Sequence, residues 1–271
     1  MSGLQECVIL ISDMHDAIAK HCEELNRCNQ RGGRMLSVFD LLAAETLDPD
    51  LAAYLMARIS KGASFMVGSV PGGAGKTTVM CALLNFVPAD VSLIAATPEA
   101  VYQALNGKLK QSACYICHEI GSGYYFAYLW ADELRAYCSL PEHGHILATN
   151  LHADNLEQAK NQLCNTNGVP GEHFNKFELL IFLRIGNHYP KTKRWIEEVY
   201  SGNGSSGHEL IFHANDKKML DENAKYYMAD PEYVAACRDF LKKVPPSVRT
   251  IEDTRRHVVE FLQEIKSKRK S

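Results

Sequence analysis

Short, continuously apolar runs alternate with longer amphipathic segments through the middle of the chain. Four runs have the length and composition of strands that are buried on both faces: 63–68, 91–96, 113–118 and 145–150. The helical pattern occurs in the segments between and after them: 76–86, 99–109, 124–139 and 154–165. Short strands separated by helices predict an α/β fold with a parallel sheet that is covered on both faces.

The pattern changes after Pro170, where three strand-like runs are joined by turn-rich stretches. FELLIFLRI, RWIEEVY and HELIFHA are typical of antiparallel strands added to the sheet. Residues 230–268 return to a helical pattern, which Pro245 and Pro246 divide, and residues 1–29 predict an amphipathic helix. We therefore expect an N-terminal helical segment (1–34), an α/β core (35–220) and a C-terminal helical segment (221–271).

Composition and charge exclude several classes of protein. The chain has 271 residues, of which 46% are hydrophobic and 23% are charged, as is usual for a globular protein. Its 29 basic and 32 acidic residues give a formal charge of −3, which argues against a broad surface for nucleic acid. No apolar run approaches the ~18 residues of a transmembrane helix. The start of the chain lacks the features of a signal peptide, so we expect a cytoplasmic location.

Nine cysteines are scattered along the chain without the spacing of a disulfide framework, which predicts reduced thiols. Cys114, Cys117 and His118 match the attachment pattern of c-type haem, but the surrounding apolar run favours thiols that act as small core residues. Cys138, His143 and His145 lack a fourth ligand at the spacing of a structural zinc site.

The segment with the clearest chemistry follows the first predicted strand and opens the next predicted helix. It has the features of a Walker A loop that binds the phosphates of ATP or GTP, at Pro71, Gly72, Gly73, Ala74, Gly75, Lys76, Thr77 and Thr78. Small residues let backbone N–H groups surround phosphate oxygens at a helix N-terminus. Lys76 is expected to reach the β- and γ-phosphates, and the Thr77 hydroxyl to ligate Mg²⁺. Val70 occupies the position of the first glycine, so the strict pattern fails there.

An ordered set of further motifs resembles the secretion-ATPase superfamily, the motors of type II secretion, type IV secretion and type IV pili. Before and after the loop the matching segments are Phe39-Asp40-Leu41-Leu42, Thr46-Leu47, the helix from Pro49, and Asn85-Phe86-Val87-Pro88. The run from Gly144 to Asn155 resembles the His box of that family. The resemblance covers about Met35 to Asp216. It implies a RecA-like P-loop core with added antiparallel strands and C-terminal helices, MgATP hydrolysis, and partners among secretion or pilus assembly proteins.

Departures from the family pattern limit the activity that the resemblance implies. The family's Asp box has a glutamate and an aspartate where this chain has Ala95 and Ala96. In the Walker B region Glu119 is present, but Gly121 stands in place of an arginine. Residues 1–34 are expected to be too short for the family's amino-terminal domain. We therefore expect slow hydrolysis, and either a monomer or a weak, nucleotide-dependent homo-oligomer.

Two residues outside the loop are candidates for catalysis. Glu119 is expected to hold Mg²⁺ through water or to activate the attacking water, with a surface glutamate as the alternative. By resemblance, His152 is expected to sense the γ-phosphate, with a satisfied polar side chain as the alternative. The aromatic residues are interpreted as helix packing rather than a base-stacking platform: Tyr124, Tyr125, Phe126, Tyr128 and Trp130.

Three functions agree with these motifs. The first is a compact, divergent secretion-type ATPase that binds MgATP. The second is a non-hydrolysing nucleotide-binding protein that regulates or scaffolds a secretion or pilus-like assembly. The third is a small-molecule kinase, which ranks last because no lid segment with clustered arginines follows the loop.

Overall fold

A single mixed sheet forms the centre of the molecule in a computed structural model, which describes residues 3–29, 32–107, 111–188, 191–216 and 229–268. Its strands are β1 (Ser64–Gly68), β2 (Ser92–Ala95), β3 (Ala113–Ile120), β4 (Tyr128–Leu129), β5 (Ile146–Leu151), β6 (Phe177–His188), β7 (Lys191–Ser201) and β8 (Glu209–His213). Their order is β2-β3-β5-β1-β6-β7-β8, with β4 beside β3. Strands β1 to β6 pair in parallel, and β7 and β8 are antiparallel additions at one edge.

Helices cover both faces of this sheet. They are α1 (Gly3–Arg27), α2 (Val38–Ala43), α3 (Pro49–Ile59), α4 (Lys76–Leu84), α5 (Pro98–Leu105), α6 (Ala131–Ser139), α7 (Leu156–Lys160), α8 (Gly171–Asn175), α9 (Pro231–Lys243) and α10 (Ile251–Lys268). The predicted RecA-like α/β fold, with a mostly parallel sheet, added antiparallel strands and C-terminal helices, is confirmed. In the part of the chain that the structure describes, no helix is long and apolar enough to cross a membrane.

Alternate side chains of the central strand β1 enter two different hydrophobic cores. Phe65 and Val67 belong to the core that also contains side chains of α1, α3, α4, α9 and α10. Met66 belongs to the core on the opposite face, with side chains of α5, α6 and α8. This is the period-two arrangement of a strand that is buried on both sides. It explains why the strand reads in the sequence as a continuous apolar run.

One helix prediction is wrong over its first half. Only Ala131–Ser139 of the predicted helix 124–139 is helical, and Tyr128–Leu129 forms strand β4 instead. Gly123 and Ala127 have φ values of 134° and 54°, and a right-handed helix cannot run through such positions. Tyr124, Tyr125 and Phe126 are exposed, so the interpretation of these rings as helix packing is also wrong.

The N- and C-terminal helices both pack against the α/β core. Helix α1 contacts β2 and α10, and its side chains Ile18, Cys22 and Leu25 are buried in the larger core. From α10, the buried Arg255 guanidinium donates to the carbonyl oxygens of Asn85 at 2.8 Å, Val87 at 2.6 Å and Pro88 at 3.2 Å. These carbonyls belong to the turn that follows α4, so Arg255 joins α10 to that turn through buried hydrogen bonds. The division into segments 1–34, 35–220 and 221–271 stays a prediction.

The last residue of β1 admits no side chain. A Cβ atom on Gly68 would lie 2.5 Å from the Ala153 carbonyl oxygen and 2.7 Å from Phe182 Cδ1. Gly68→Ala is therefore expected to lower the free energy of unfolding by about 1–3 kcal/mol, measured by urea denaturation. Gly171→Ala is the matched control, because a Cβ there meets nothing within 4 Å. Equal stability of the two variants would contradict the close approach at Gly68.

Candidate functional site

A glycine-rich loop connects β1 to α4 at the carboxyl end of the parallel sheet. Gly73 and Gly75 have φ values of 85° and 97°, in the left-handed region that favours glycine. Lys76 is the first residue of α4 and Thr77 the second. The strand–loop–helix context that the sequence predicts is therefore present, and the N-terminus of α4 carries the positive end of a helix dipole.

Three residues that the sequence singles out meet beside this loop. Lys76 Nζ lies 3.2 Å from the Ser69 carbonyl oxygen and 3.6 Å from Glu119 Oε2. His152 Nε2 lies 3.8 Å from the same Glu119 oxygen. The side chains of Lys76 and Glu119 are 9% and 10% exposed, whereas that of His152 is 53% exposed. Their elements, α4, β3 and the segment after β5, come together only in the folded chain.

The two oxygens of the Glu119 carboxyl group differ in their contacts: Oε2 lies beside Lys76 and His152, and Oε1 has no hydrogen-bond partner among the described residues. Burial raises its pKa, and the neighbouring positive charge of Lys76 opposes that shift. The other oxygen, Oε1, is buried and has no hydrogen-bond partner among the described residues. A buried acceptor without a partner is costly, so it marks a position for a water or a ligand group.

Thr77 is oriented by a side chain from β5. Asn150 Nδ2 donates to Thr77 Oγ1 at 3.3 Å and to the His118 carbonyl oxygen at 2.9 Å. This bond uses one lone pair of the Thr77 hydroxyl oxygen, so the second lone pair is available to a ligand at the start of α4. Within the described ranges, no group of three or more His, Cys, Asp or Glu side chains could hold a metal ion. A single hydroxyl ligand such as Thr77 Oγ1 fits Mg²⁺, because this ion takes few protein ligands and completes its shell with water and phosphate oxygens.

Val70 has a structural reason to replace the first glycine of the loop motif. Its φ lies outside the left-handed region, so a β-branched side chain is tolerated. Its N–H donates to Asp154 Oδ1 at 2.8 Å, and its carbonyl oxygen lies 3.4 Å from His152 Nδ1. Asp154 Oδ2 also pairs with Arg184 at 3.4 Å. Side chains of the segment after β5 therefore position the start of the loop by contacting the backbone of Val70.

Sequence reasoning missed Arg194, which reaches the loop from the antiparallel strand β7. Its Nε donates to the Gly73 carbonyl oxygen at 2.9 Å. The guanidinium is exposed at the mouth of the loop, where phosphate oxygens would be recognised. A basic stretch ending at Arg194 is visible in the sequence, but nothing local predicts that β7 folds back beside the loop.

A cavity of about 1170 Å³ opens beside these groups. Its lining includes the predicted residues Gly72 to Thr78, Glu119 and His152, but not Pro71. Away from the loop, Met35, Leu36 and Leu41 give the cavity an apolar wall. Small-molecule sites commonly combine such an apolar wall with a few convergent polar groups.

The two alanines of the degenerate box lie at the end of β2. Helix α1 packs against this strand, whereas Ala96 belongs to the core on the opposite face of the sheet. Ala95 is 8% exposed and Ala96 is fully buried. Burial raises the pKa of the Glu24 carboxyl group, which belongs to α1. The frame around the alanines is intact, since Thr97 caps α5 by accepting from the Ala100 N–H at 3.2 Å.

No protein-family model and no curated protein matches the chain. Among solved structures, it is similar to the VirB11 ATPase of the Brucella suis type IV secretion system, solved in complex with sulphate. The identity is 18% and the TM-score 0.44, covering 65% of this chain and 61% of that one. It is also similar to the Legionella pneumophila ATPase DotB, at 13% identity and a TM-score of 0.39, covering 70% and 55%. The chain thus spans about three fifths of the length of the structures it matches.

Proposed function

We propose that the protein is a P-loop ATPase that binds MgATP in the cavity beside α4 and hydrolyses it slowly. The position of Lys76 carries this proposal. Its ammonium group sits at the first turn of α4, between the Ser69 carbonyl oxygen and the buried Glu119 carboxylate. A lysine held at a helix N-terminus behind a glycine-rich loop is suited to triphosphate binding.

Each part of the site has a role in this proposal. Backbone N–H groups from Gly72 to Thr78 surround the phosphates, and Lys76 exchanges its carbonyl contact for phosphate oxygens. Thr77 Oγ1 holds Mg²⁺, which supplies charge neutralisation for the phosphates when it is bound. Arg194 adds a second cation from within the same chain. Glu119 Oε1 accepts a proton of the attacking water, and His152 lies beside the same carboxylate.

The proposed hydrolysis is slow because alanine occupies two positions that carry carboxylates in the family pattern. Phosphoryl transfer depends on positioning the water and on stabilising charge, so the loss of carboxylates at Ala95 and Ala96 removes part of that function. Gly121 supplies no arginine, and Arg194 is the replacement that we propose. Service in a secretion or pilus-like assembly, at a cytoplasmic location and as a weak homo-oligomer, belongs to this proposal through the sequence resemblance.

A specific observation favours the non-hydrolysing regulatory protein as the second candidate. Ala95 and Ala96 are buried at the end of β2 and place no carboxylate there. Water activation then depends on Glu119 alone, and a protein in which Glu119 does not perform it would bind nucleotide without hydrolysing it. Steady-state release of phosphate from ATP separates the two functions, since only the ATPase turns over.

The test of binding is stabilisation by nucleotide. A ligand that binds only the folded state adds ~2.7 kcal/mol to the free energy of unfolding at 100 times its Kd. We expect MgATP and MgADP to raise the midpoint of thermal unfolding, and adenosine, which lacks phosphates, to raise it far less. The measurement is differential scanning fluorimetry over a nucleotide titration. Equal effects of adenosine and MgATP, or no effect of either at millimolar concentration, would exclude the proposed phosphate site.

A further inference from the structure

An asparagine of β5 joins the phosphate loop to the strand that carries Glu119. Asn150 is fully buried, in a strand that pairs with β1 on one side and with β3 on the other. Its Nδ2 atom donates to Thr77 Oγ1 at 3.3 Å and to the His118 carbonyl oxygen at 2.9 Å. Both hydrogens of the amide nitrogen are therefore used, one toward α4 and one toward β3. The proposed function gives this side chain no role.

The contacts of Asn150 fix the orientation of its amide group. The His118 carbonyl oxygen can only accept, so the amide turns its nitrogen rather than its oxygen toward that atom. The reversed amide would place two acceptors against each other in a buried position, which is costly. Oδ1 has no hydrogen-bond partner among the described residues, so no donor there favours the reversal. Asn150 therefore acts as a donor toward Thr77.

A donor at this position determines how the Thr77 hydroxyl group is used. The bond from Asn150 occupies one lone pair of Oγ1 and turns the hydroxyl proton away from the amide. The second lone pair is left for a cation. The bond also holds the threonine side chain in one of its staggered rotamers. A ligand atom that is already ordered binds more tightly than one that must be ordered on binding.

We infer that Asn150 is a positioning residue that sets the affinity of the site for Mg²⁺, because it orders Thr77 Oγ1 before the ion binds. The inference rests on the proposed function, in which Thr77 holds Mg²⁺ beside the nucleotide phosphates. Loss of a side chain that orients a metal ligand without touching the metal lowers metal affinity by about 10–100-fold. Asn150 has the contacts of such a side chain, since it bonds the ligand atom itself from a fully buried position.

The test compares how strongly Mg²⁺ improves the binding of ADP. Isothermal titration gives the Kd of ADP for the full-length protein in excess Mg²⁺ and again in EDTA, and the ratio of the two measures the coupling between ion and nucleotide. In Asn150→Leu, which keeps a similar size but has no donor, we expect this ratio to fall about tenfold with an unchanged Kd in EDTA. Thr77→Val should lower the ratio as well. Asn150→Leu should add little to Thr77→Val, because both changes act through one contact.

Asn167→Leu is the matched control. Asn167 is also buried, and its amide bonds two backbone groups, the Ala131 N–H at 2.8 Å and the Gln162 carbonyl oxygen at 2.7 Å. It lies outside the lining of the cavity. Its loss should destabilise the fold in urea denaturation, while the Mg²⁺ ratio keeps the wild-type value. If Asn150→Leu does not fold, Asn150→Ser replaces it, because a serine hydroxyl is too short to reach Thr77.

The outcomes separate this inference from the proposed function. A wild-type protein that does not bind ADP overturns both. Binding of ADP that Mg²⁺ does not improve overturns the inference and the role of Thr77. Binding that Mg²⁺ improves equally in the wild type and in Asn150→Leu overturns the inference alone. Equal weakening of ADP binding in Mg²⁺ and in EDTA also overturns it, since a merely structural role of Asn150 gives that result.

Discussion

Removal of the Lys76 ammonium group is expected to lower the affinity for MgATP about a hundredfold. A hydrogen bond to a charged group contributes about 1.5–3 kcal/mol, and Lys76 is the cation that we assign to the β- and γ-phosphates. The substitution of choice is Lys76→Met, which keeps the apolar stem of a side chain that is 9% exposed. Affinity is measured by isothermal titration with MgATP and with MgADP.

The loss of Lys76 also affects the free protein, because its ammonium group neutralises the buried carboxylate of Glu119. Leaving a buried charge without its partner destabilises a fold, so the unfolding of Lys76→Met must be measured beside its affinity. The double variant Lys76→Met with Glu119→Gln removes both charges and should recover stability without recovering affinity. Lys242→Ala, on the exposed surface of α9, is the control. Unchanged affinity in a folded Lys76→Met protein would refute the site.

Glu119→Gln is expected to reduce steady-state phosphate release by about 10²–10⁴-fold, with little change in the affinity for nucleotide. Glutamine keeps the size of the side chain, but its amide cannot take a proton from water. The free oxygen Oε1 of Glu119 is the acceptor that we assign to this step. The measurement compares kcat and KM, and a change confined to kcat supports a role in the chemical step.

The pH dependence of hydrolysis provides an independent test of the same carboxylate. Burial raises the pKa of Glu119, and the base must be ionised to act. Phosphate release should therefore fall, as the pH is lowered, at a higher pH than the titration of an ordinary glutamate would give. Glu157→Gln, an exposed position on α7, is the matched control. Phosphate release by Glu119→Gln at the wild-type rate would show that another group activates the water.

The sequence predicts the central strands and the phosphate loop because their signals are local. The strand predicted at 63–68 is β1 (Ser64–Gly68), and the helix predicted from Lys76 begins at that residue. Buried strands read as apolar runs, and glycines mark the loop that follows. The prediction of Glu119 as a residue of the same site came from the ordered motifs of a family rather than from any local pattern.

Long-range contacts account for what the sequence does not show. Arg194 and Asp154 reach the loop only because β7 and the segment after β5 fold beside it. The degenerate box at Ala95 and Ala96 is a second feature whose surroundings the sequence does not show. From the sequence alone, Glu and Asp at these positions would be expected to restore catalysis. In the fold, Ala96 is fully buried in the core on the α5 and α6 face of the sheet, so a carboxylate at this position would be placed among apolar side chains.

The contact between Arg255 and the end of α4 has a mechanical consequence. Helix α4 has nine residues, so it is a rod of about 13 Å with the phosphate loop at one end. Just beyond the other end, the carbonyl oxygens of Asn85, Val87 and Pro88 accept hydrogen bonds from the Arg255 guanidinium of α10. Because so short a helix is stiff, we expect a displacement of the loop on ligand binding to be transmitted to α10 through these hydrogen bonds. By the same contacts, we expect a displacement of α10 to shift Lys76.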